Sequence, residues 1–255
     1  MEEEQYNYKM TIAYDGTNYH GWQIQPNGMS IQEKIQSSLQ IFLRKEIHVI
    51  GSGRTDSGVH ATGQVANFKY GNKLDLPRFM YAANGLLPHD IRILSIESVP
   101  LEFHSQYSAT GKIYHYHLHL GSVHNPFRRL YALHVREKIN LDLLSSAAKC
   151  FIGTHDFVSF ANSAHQGTAS YDSIRTIKRL DVIPEIGGIR LEFEGDGFLY
   201  KMVRNIVGLL LEIAEGTRPV EDIQKILNGK DRRQAGKAAA PQGLFLVKVL
   251  YSEEV

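Results

Sequence analysis

The chain is poor in several things that would narrow its role. It has one cysteine, Cys150, so no internal disulfide can form. That points to a reducing compartment, the cytoplasm, as the expected home. The strongest apolar run, "IVGLLLEIA", is broken by Glu212 and is far short of the roughly 20 residues a membrane helix needs. The start, "MEEEQYNYKM", has acidic residues and no apolar stretch, so no secretory leader is expected. No excess of one charge exists: the formal net charge is +1, which by itself announces neither a nucleic-acid binder nor a membrane surface. Both common nucleotide-loop signatures fail as well. In "GSGRTDSGVH" a dinucleotide fingerprint needs glycine at Asp56, and a phosphate loop needs Lys-Ser/Thr where Val59-His60 stands.

What is present suits a globular protein with a sizeable core. The 255 residues are 43% apolar, enough for one large domain or two small ones at roughly 100–200 residues each. Tyr6–Tyr14 alternates as a strand, with Tyr6, Tyr8, Met10, Ile12 and Tyr14 on one face. "SIQEKIQSSLQIFL" reads as a helix with Ser30 and Glu33 as a capping box and Ile31, Ile35, Leu39 and Phe42 as its apolar stripe. A short strand near Val49, a strand at about 64–70, a helix from Pro77 behind Asp75, and a strand over Ile91–Val99 follow. A long strand, Ser108–Leu120, then leads to a turn at Asn125-Pro126 and a helix capped by Asn140, burying Leu141, Leu144, Ala148 and Phe151. After the polar loop "ANSAHQGTASYDS" come strands at about 174–183 and 189–194, joined by the hairpin signal "PEIGG". Helices at about 199–215 and 219–228 and a strand at about 244–251 close the pattern. Each half reads strand, helix, strands, helix, strand, the order of a ferredoxin-like unit. The expected domains are 1–107 and 108–255, an α+β protein of two halves.

Three places can carry chemistry. The first is the glycine-framed tip "RTD". Glycines permit positive φ and close approach, so Asp56 can be a directed, reachable carboxylate with Arg54 and Thr55 beside it. It can equally be a turn former capping its own backbone, and local chemistry leaves both readings open. The second is "YHYHLHL", which puts His115, His117 and His119 on one strand face. They can be zinc ligands, but the plainer reading is a polar sheet face. Tyr114 and Tyr116 on the other face are more interesting, since a tyrosine can stack on a nucleobase. The third is "GDGFLYKMVRNIVG", where Lys201, Asn205, Glu212 and Glu215 form a polar stripe and Arg204 sits at its rim. Basic clusters at Arg128-Arg129, Lys178-Arg179, Lys201 with Arg204, and Lys230-Arg232-Arg233-Lys237 are either RNA-binding patches or ordinary solvated faces.

Taken in order, "YDGTNYHGWQIQP", "SIQEKIQSSL", "GSGRTDSGVHATGQVANF", "NGLLPHDIRI", "FHSQYSATGKIYHY", "DFVSF", "GFLYKMVRNIVG" and "APQGLFL" resemble the tRNA pseudouridine synthase A family over nearly the whole chain. The resemblance implies the pseudouridine synthase fold, with the mainly antiparallel sheets of the two halves meeting around a central cleft. It implies a cofactor-free, metal-free isomerase that converts uridine to pseudouridine in the anticodon stem-loop of tRNA, at tRNA positions 38, 39 or 40. Asp56 matches the nucleophile and Arg204 the arginine that pairs with it. Tyr114 matches the tyrosine stacked on the target base, Arg54 a residue that holds the vacated place, and Leu244 an apolar residue packed near the base. A cytoplasmic homodimer is implied, with the second half supplying dimer contacts.

The chain departs from that pattern at Gln106 and Lys112, where arginine is usual or frequent, and at Ser52 and Ser57, where alanine is common. Glutamine loses the charge, and lysine loses the planar fork. Two other readings compete with the isomerase. One is a catalytically silent RNA-binding protein using the same basic clusters and tyrosines. The other is a zinc hydrolase built on His115, His117 and His119.

Overall fold

The computed structural model describes residues 5–136, 138–162 and 172–252. Most of the polar loop expected between Ala161 and Ser173 lies outside the described residues. In chain order the elements are β1 (Tyr6–Tyr14), α1 (Ile31–Leu43), β2 (Ile50–Gly51), β3 (His60–Tyr70), α2 (Leu76–Leu86), β4 (Ile91–Val99), β5 (Ala109–Leu120), β6 (Leu133–Val135), α3 (Leu141–Lys149), β7 (Gly153–Asp156), β8 (Ile174–Glu185), β9 (Gly188–Gly195), α4 (Met202–Ala214), α5 (Asp222–Gly229) and β10 (Leu244–Tyr251). The architecture is mixed α/β with mostly antiparallel strands. Two compact units form: Met1–Thr110 with Phe245–Val255, and Gly111–Leu244. The sequence-based boundary at 107 thus stands at 110, and the C-terminal strand, assigned to the second half by its place in the chain, lies with the first.

In the first unit β1 is central. It pairs antiparallel with β4, as at Ile12↔Ile93, and with β3, as at Tyr8↔Phe68. β10 runs parallel to β3 through Phe245↔His60 and Leu246↔Ala61, and β2 sits on β3 at Ile50↔Asn67. Alternation along β1 buries Tyr8, Met10, Ile12 and Tyr14 against α1 and α2. From the helices come Ile31, Ile35, Leu39, Phe79 and Ala83. Phe79 stacks on Phe68 at 5.7 Å and meets Phe42 edge-on at 5.8 Å. Both helix starts follow the expected chemistry. Ser30 Oγ accepts from Glu33 N at 3.2 Å while Glu33 reaches back to Ser30 N, and Asp75 accepts from Arg78 N.

In the second unit β5, β9, β8 and β7 pair antiparallel in that order, and β6 lies parallel on β5. β6 and β7, three and four residues long, carry too short an alternation to be read from sequence. The "PEIGG" turn joins β8 to β9 with Gly187 at φ +73°. α3 is capped by Asn140, whose side chain accepts from Leu143 N. Leu141, expected in the core, is 41% exposed. It opens the first helical turn, and Leu144, Ala147, Ala148 and Phe151 make the contact instead. α4 starts three residues later than expected, because Lys201 takes a left-handed φ of +61° and acts as its N-cap.

Replacing Ser30 with Ala removes one half of the capping box. It is expected to lower unfolding free energy by about 1 kcal/mol, read as a shift of the urea midpoint at unchanged slope.

Candidate active site

The Asp56 loop joins β2 to β3 and is tied down from beneath. Thr55 is buried, and its hydroxyl shares a 2.8 Å hydrogen bond with the buried Tyr14 hydroxyl. Burial pushes the Tyr14 phenol well above its ordinary range, with hydrogen bonds from Thr55 and Gln64 opposing, so it stays protonated. The Thr55 carbonyl accepts from Trp22 N at 3.1 Å, and the Asp56 carbonyl accepts from Val59 N at 3.1 Å. Gly58 N and Ser57 Oγ both donate to the Tyr19 carbonyl. On the other flank, buried Ser52 donates to Gln64 Oε1 at 2.7 Å, and Gln64 Nε2 donates to the Gly53 carbonyl. The serines at 52 and 57 therefore add fixing hydrogen bonds where alanine would give none. Asp56 itself is half-buried, and Arg54 is exposed, its guanidinium unpaired among the described residues.

The glycines have identifiable work. A Cβ on Gly21, at φ +92°, would lie 2.4 Å from the Thr55 carbonyl oxygen. One on Gly16 would lie 2.0 Å from the Val59 carbonyl oxygen, and one on Gly51 would meet the Trp22 indole at 2.4 Å. The "YDGT…HGW" segment is thus pressed directly against the loop that carries Asp56. Just past the loop, His60 is 1% exposed and stacks on Phe245 at 4.6 Å. Its Nδ1 accepts from Gly16 N at 3.1 Å and lies 3.1 Å from Asp15 Oδ1. Periodicity places Tyr14 on the buried face of β1 but shows nothing of its bond to Thr55, and it does not single out His60. Only its place inside the ordered motifs signals His60.

The second unit holds the remaining candidates. Tyr114 on β5 is 8% exposed, opposite Phe193 on β9, with the Phe198 ring edge-on at 5.1 Å. Tyr116, two residues on and on the same face, donates to the Ala240 carbonyl at 2.7 Å. Burial raises its pKa, partly offset by the positive charge of Arg204. Arg204, on α4, donates through Nε to the Ala239 carbonyl at 2.8 Å, and Ala239 N donates back to the Arg204 carbonyl. Adjacent carbonyls at 239 and 240 are therefore held by Arg204 and by the neighbour of Tyr114. The strand-bound segment ends at Leu244, which is buried. Within this unit Tyr116 on β5 and Arg204 on α4 both hold the segment at 239–240 that leads to Leu244. Within the first unit Arg54 and Asp56 share one fixed tip.

Asn205 corrects the helical-wheel reading. Far from joining a polar stripe, it is fully buried. It donates to the Phe160 carbonyl at 2.6 Å and to Asn162 Oδ1 at 3.0 Å, and it accepts from Arg232 Nη2 at 2.7 Å. Arg232 also donates to Gly236 O, so this knot pins the start of α4 and with it Arg204. Lys112 is the other unusual group. Burial first, and the charge of Arg175 second, bring its pKa down to about 8.

The histidine face is polar sheet. His115 lies 3.6 Å from Glu192, His117 Nδ1 is 3.0 Å from Glu185, and His119 Nε2 is 3.2 Å from the Val123 carbonyl. Among the described residues no group of three or more His, Cys, Asp or Glu side chains is placed to hold a metal ion. Much of the clustered positive charge is also used locally: Arg128 on Glu185, Arg179 on Glu192, Lys230 on Asp156 and Arg233 on Asp231.

A profile described as tRNA pseudouridine synthase matches residues 10–108 and 147–252. The chain belongs to that family. It is similar to tRNA pseudouridine synthase A 1 of Protochlamydia amoebophila, 59% identical over 97% of this chain and 97% of that one. It is also similar to tRNA pseudouridine synthase A of Lacticaseibacillus casei, at 45% identity over 96% of this chain and 99% of that one. The corresponding protein of Acetivibrio thermocellus is 40% identical over 96% and 99% of the two chains. A chain from a solved Cbf5-Nop10-Gar1 complex is similar at 14% identity and a TM-score of 0.37. It spans 80% of this chain and 54% of its own, a likeness too slight to compare in detail.

Replacing Gly21 with Ala places a methyl group against a backbone oxygen that cannot swing away. The expected result is a loss of at least about 1 kcal/mol of stability, measured by chemical denaturation, with a shifted Asp56 amide resonance in the folded variant.

Proposed function

We propose that this protein converts uridine to pseudouridine in the anticodon stem-loop of tRNA, at tRNA positions 38 to 40, with Asp56 as nucleophile. The observation that carries the reading is the Asp56 tip: a half-buried carboxylate on a loop fixed by Tyr14, Gln64 and the Gly16 and Gly21 backbones. It stands in a chain of the tRNA pseudouridine synthase family. A turn former needs no such scaffold beneath it.

The chemistry is an isomerisation. The bond from N1 of uracil to C1′ of the ribose breaks, the base turns, C5 bonds to C1′, and the C5 proton is lost while N1 gains one. Nothing is oxidised or reduced, so no redox cofactor is required by the balance. The target base must leave its stack, at a cost of a few kcal/mol. Stacking on Tyr114 offsets part of it, about 1–3 kcal/mol, and the Phe198 edge keeps that ring from turning. Arg204 is assigned as the cationic partner of the Asp56 nucleophile. Arg54, exposed and unpaired among the described residues, fills the place the base vacates, and Leu244 packs beside the base. A cytoplasmic homodimer, with contacts from the second unit, completes the proposal.

The test is Asp56→Asn, assayed by release of tritium from C5-labelled uridine in tRNA. Turnover should fall by at least about a thousandfold with tRNA binding retained. Undiminished turnover would remove Asp56 from the role of nucleophile. Binding of tRNA by the wild type with no pseudouridine formed would identify a silent RNA-binding protein instead.

Lys112 gives a pH prediction. Its cation is present below about pH 8 and is lost as pH rises through that value. kcat/KM, which reports the free enzyme, should therefore decline above about pH 8. Lys112→Arg, which stays charged, should carry full kcat/KM to higher pH.

A further inference from the structure

The first unit contains a cavity of about 350 Å³ whose lining includes Lys45, His48, Asn67, Lys69 and Tyr70. Asn67 is buried at its base, and its amide is already committed: it donates to Asn7 Oδ1 and accepts from Ser105 N. The groups free to meet a ligand are the cations. The Lys45 and Lys69 side chains are exposed and make no ion pair or hydrogen bond among the described residues, unlike the neutralised arginines of the second unit. The one carboxylate in the lining, Glu46, lies 3.8 Å from His48 Nε2, and both side chains are largely exposed. Two lysines against one carboxylate leave the pocket net positive. The half-buried Tyr70 supplies an aromatic wall. This set suits a phosphate carried next to a ring or sugar.

Its position within the unit is informative. β3 starts at His60, just past the Asp56 loop, and ends at Tyr70 in the pocket wall. Ten residue steps at about 3.3 Å separate the two ends by roughly 33 Å, the length of on the order of ten base pairs of duplex. An isolated anticodon stem-loop does not extend that far from its own target uridine, whereas a full tRNA does.

We propose that the Lys45–His48–Lys69 pocket grips a backbone phosphate of the tRNA substrate, remote from the uridine being modified. This rests on tRNA being the substrate, as proposed above. The pocket then contributes to holding the body of the tRNA and takes no part in the chemistry.

The test measures binding of full-length tRNA and of an isolated anticodon stem-loop as a function of salt. It compares wild type, Lys45→Ala/Lys69→Ala and Lys45→Arg/Lys69→Arg. For full-length tRNA the alanine pair should weaken binding several-fold at low salt. It should also flatten the slope of log K against log[salt] by about one. The arginine pair should keep the wild-type slope, and neither pair should change stem-loop binding or turnover at saturating tRNA. Glu46→Gln should tighten full-length tRNA binding, an effect that damage to the fold would not produce. An unchanged slope with full-length tRNA, or an equal loss with the stem-loop, would overturn the proposal. Saturable binding of inorganic phosphate that the alanine pair abolishes, with tRNA binding unaltered, would assign the pocket to a free phosphate and overturn it too. A wild type that forms no pseudouridine would sink the proposed activity, and the same binding comparison would still decide the pocket.

Discussion

Backbone pressed on backbone beneath the Asp56 loop is the constraint on which the rest depends. At Gly16 and Gly21 the chain comes so close to Val59 and Thr55 that no side chain fits between. Contact at that range fixes the loop by packing of rigid atoms, and the hydrogen bonds of Thr55, Ser57 and Gln64 select one arrangement of it. A carboxylate that must meet a reacting atom gains from such a mount, because small misplacements are expensive in rate. Glycine-rich loops are often read as flexible; these glycines remove freedom.

The second unit reaches a comparable result by polar means. Asn205 is fully buried against the half-buried Arg232, and each hydrogen bond of the asparagine has a defined partner. Buried polar networks of this kind demand full satisfaction, so the start of α4 has little choice of position. Arg204 lies next in sequence and holds the Ala239 carbonyl. Tyr116 holds the next carbonyl along, beside the strand position of Tyr114. One unit thus fixes its Asp56 loop with missing side chains, and the other fixes its aromatic and cationic groups with saturated ones.

Much of the secondary structure was legible because it is written in local pattern. β1, β4 and β10 fall where alternation and turn residues put them, and the capping box at Ser30 forms as its spacing requires. What was not legible is set by partners far along the chain. A helical wheel puts Asn205 in a polar stripe, since a wheel cannot show that Phe160, Asn162 and Arg232 wait on that side. β6 and β7 are too short to show a period. Alternation marks Tyr14 as buried but not its hydrogen bond to Thr55, and nothing periodic marks His60 as the partner of Gly16. Arg204 is the clearest limit: only its motif, and no pattern, singled it out.

β10 belongs to the first unit although it follows the second in the chain. Phe245 pairs with His60, and a Cβ on Gly63 would lie 2.0 Å from the Val247 carbonyl oxygen, so the last strand fills a close-fitting slot beside β3. A nascent chain emerging from the ribosome therefore carries an unfinished first unit while all of the second is still being made. Until residues 245–251 arrive, one side of β3 and the inner face of His60 lack their partners, and an unpaired strand side is a template for wrong association. The loop that bears Asp56 leads directly into that strand. Completion of the packing behind the Asp56 loop is thereby coupled to synthesis of residues 245–251, and a chain cut short before Phe245 would lack part of the packing around His60.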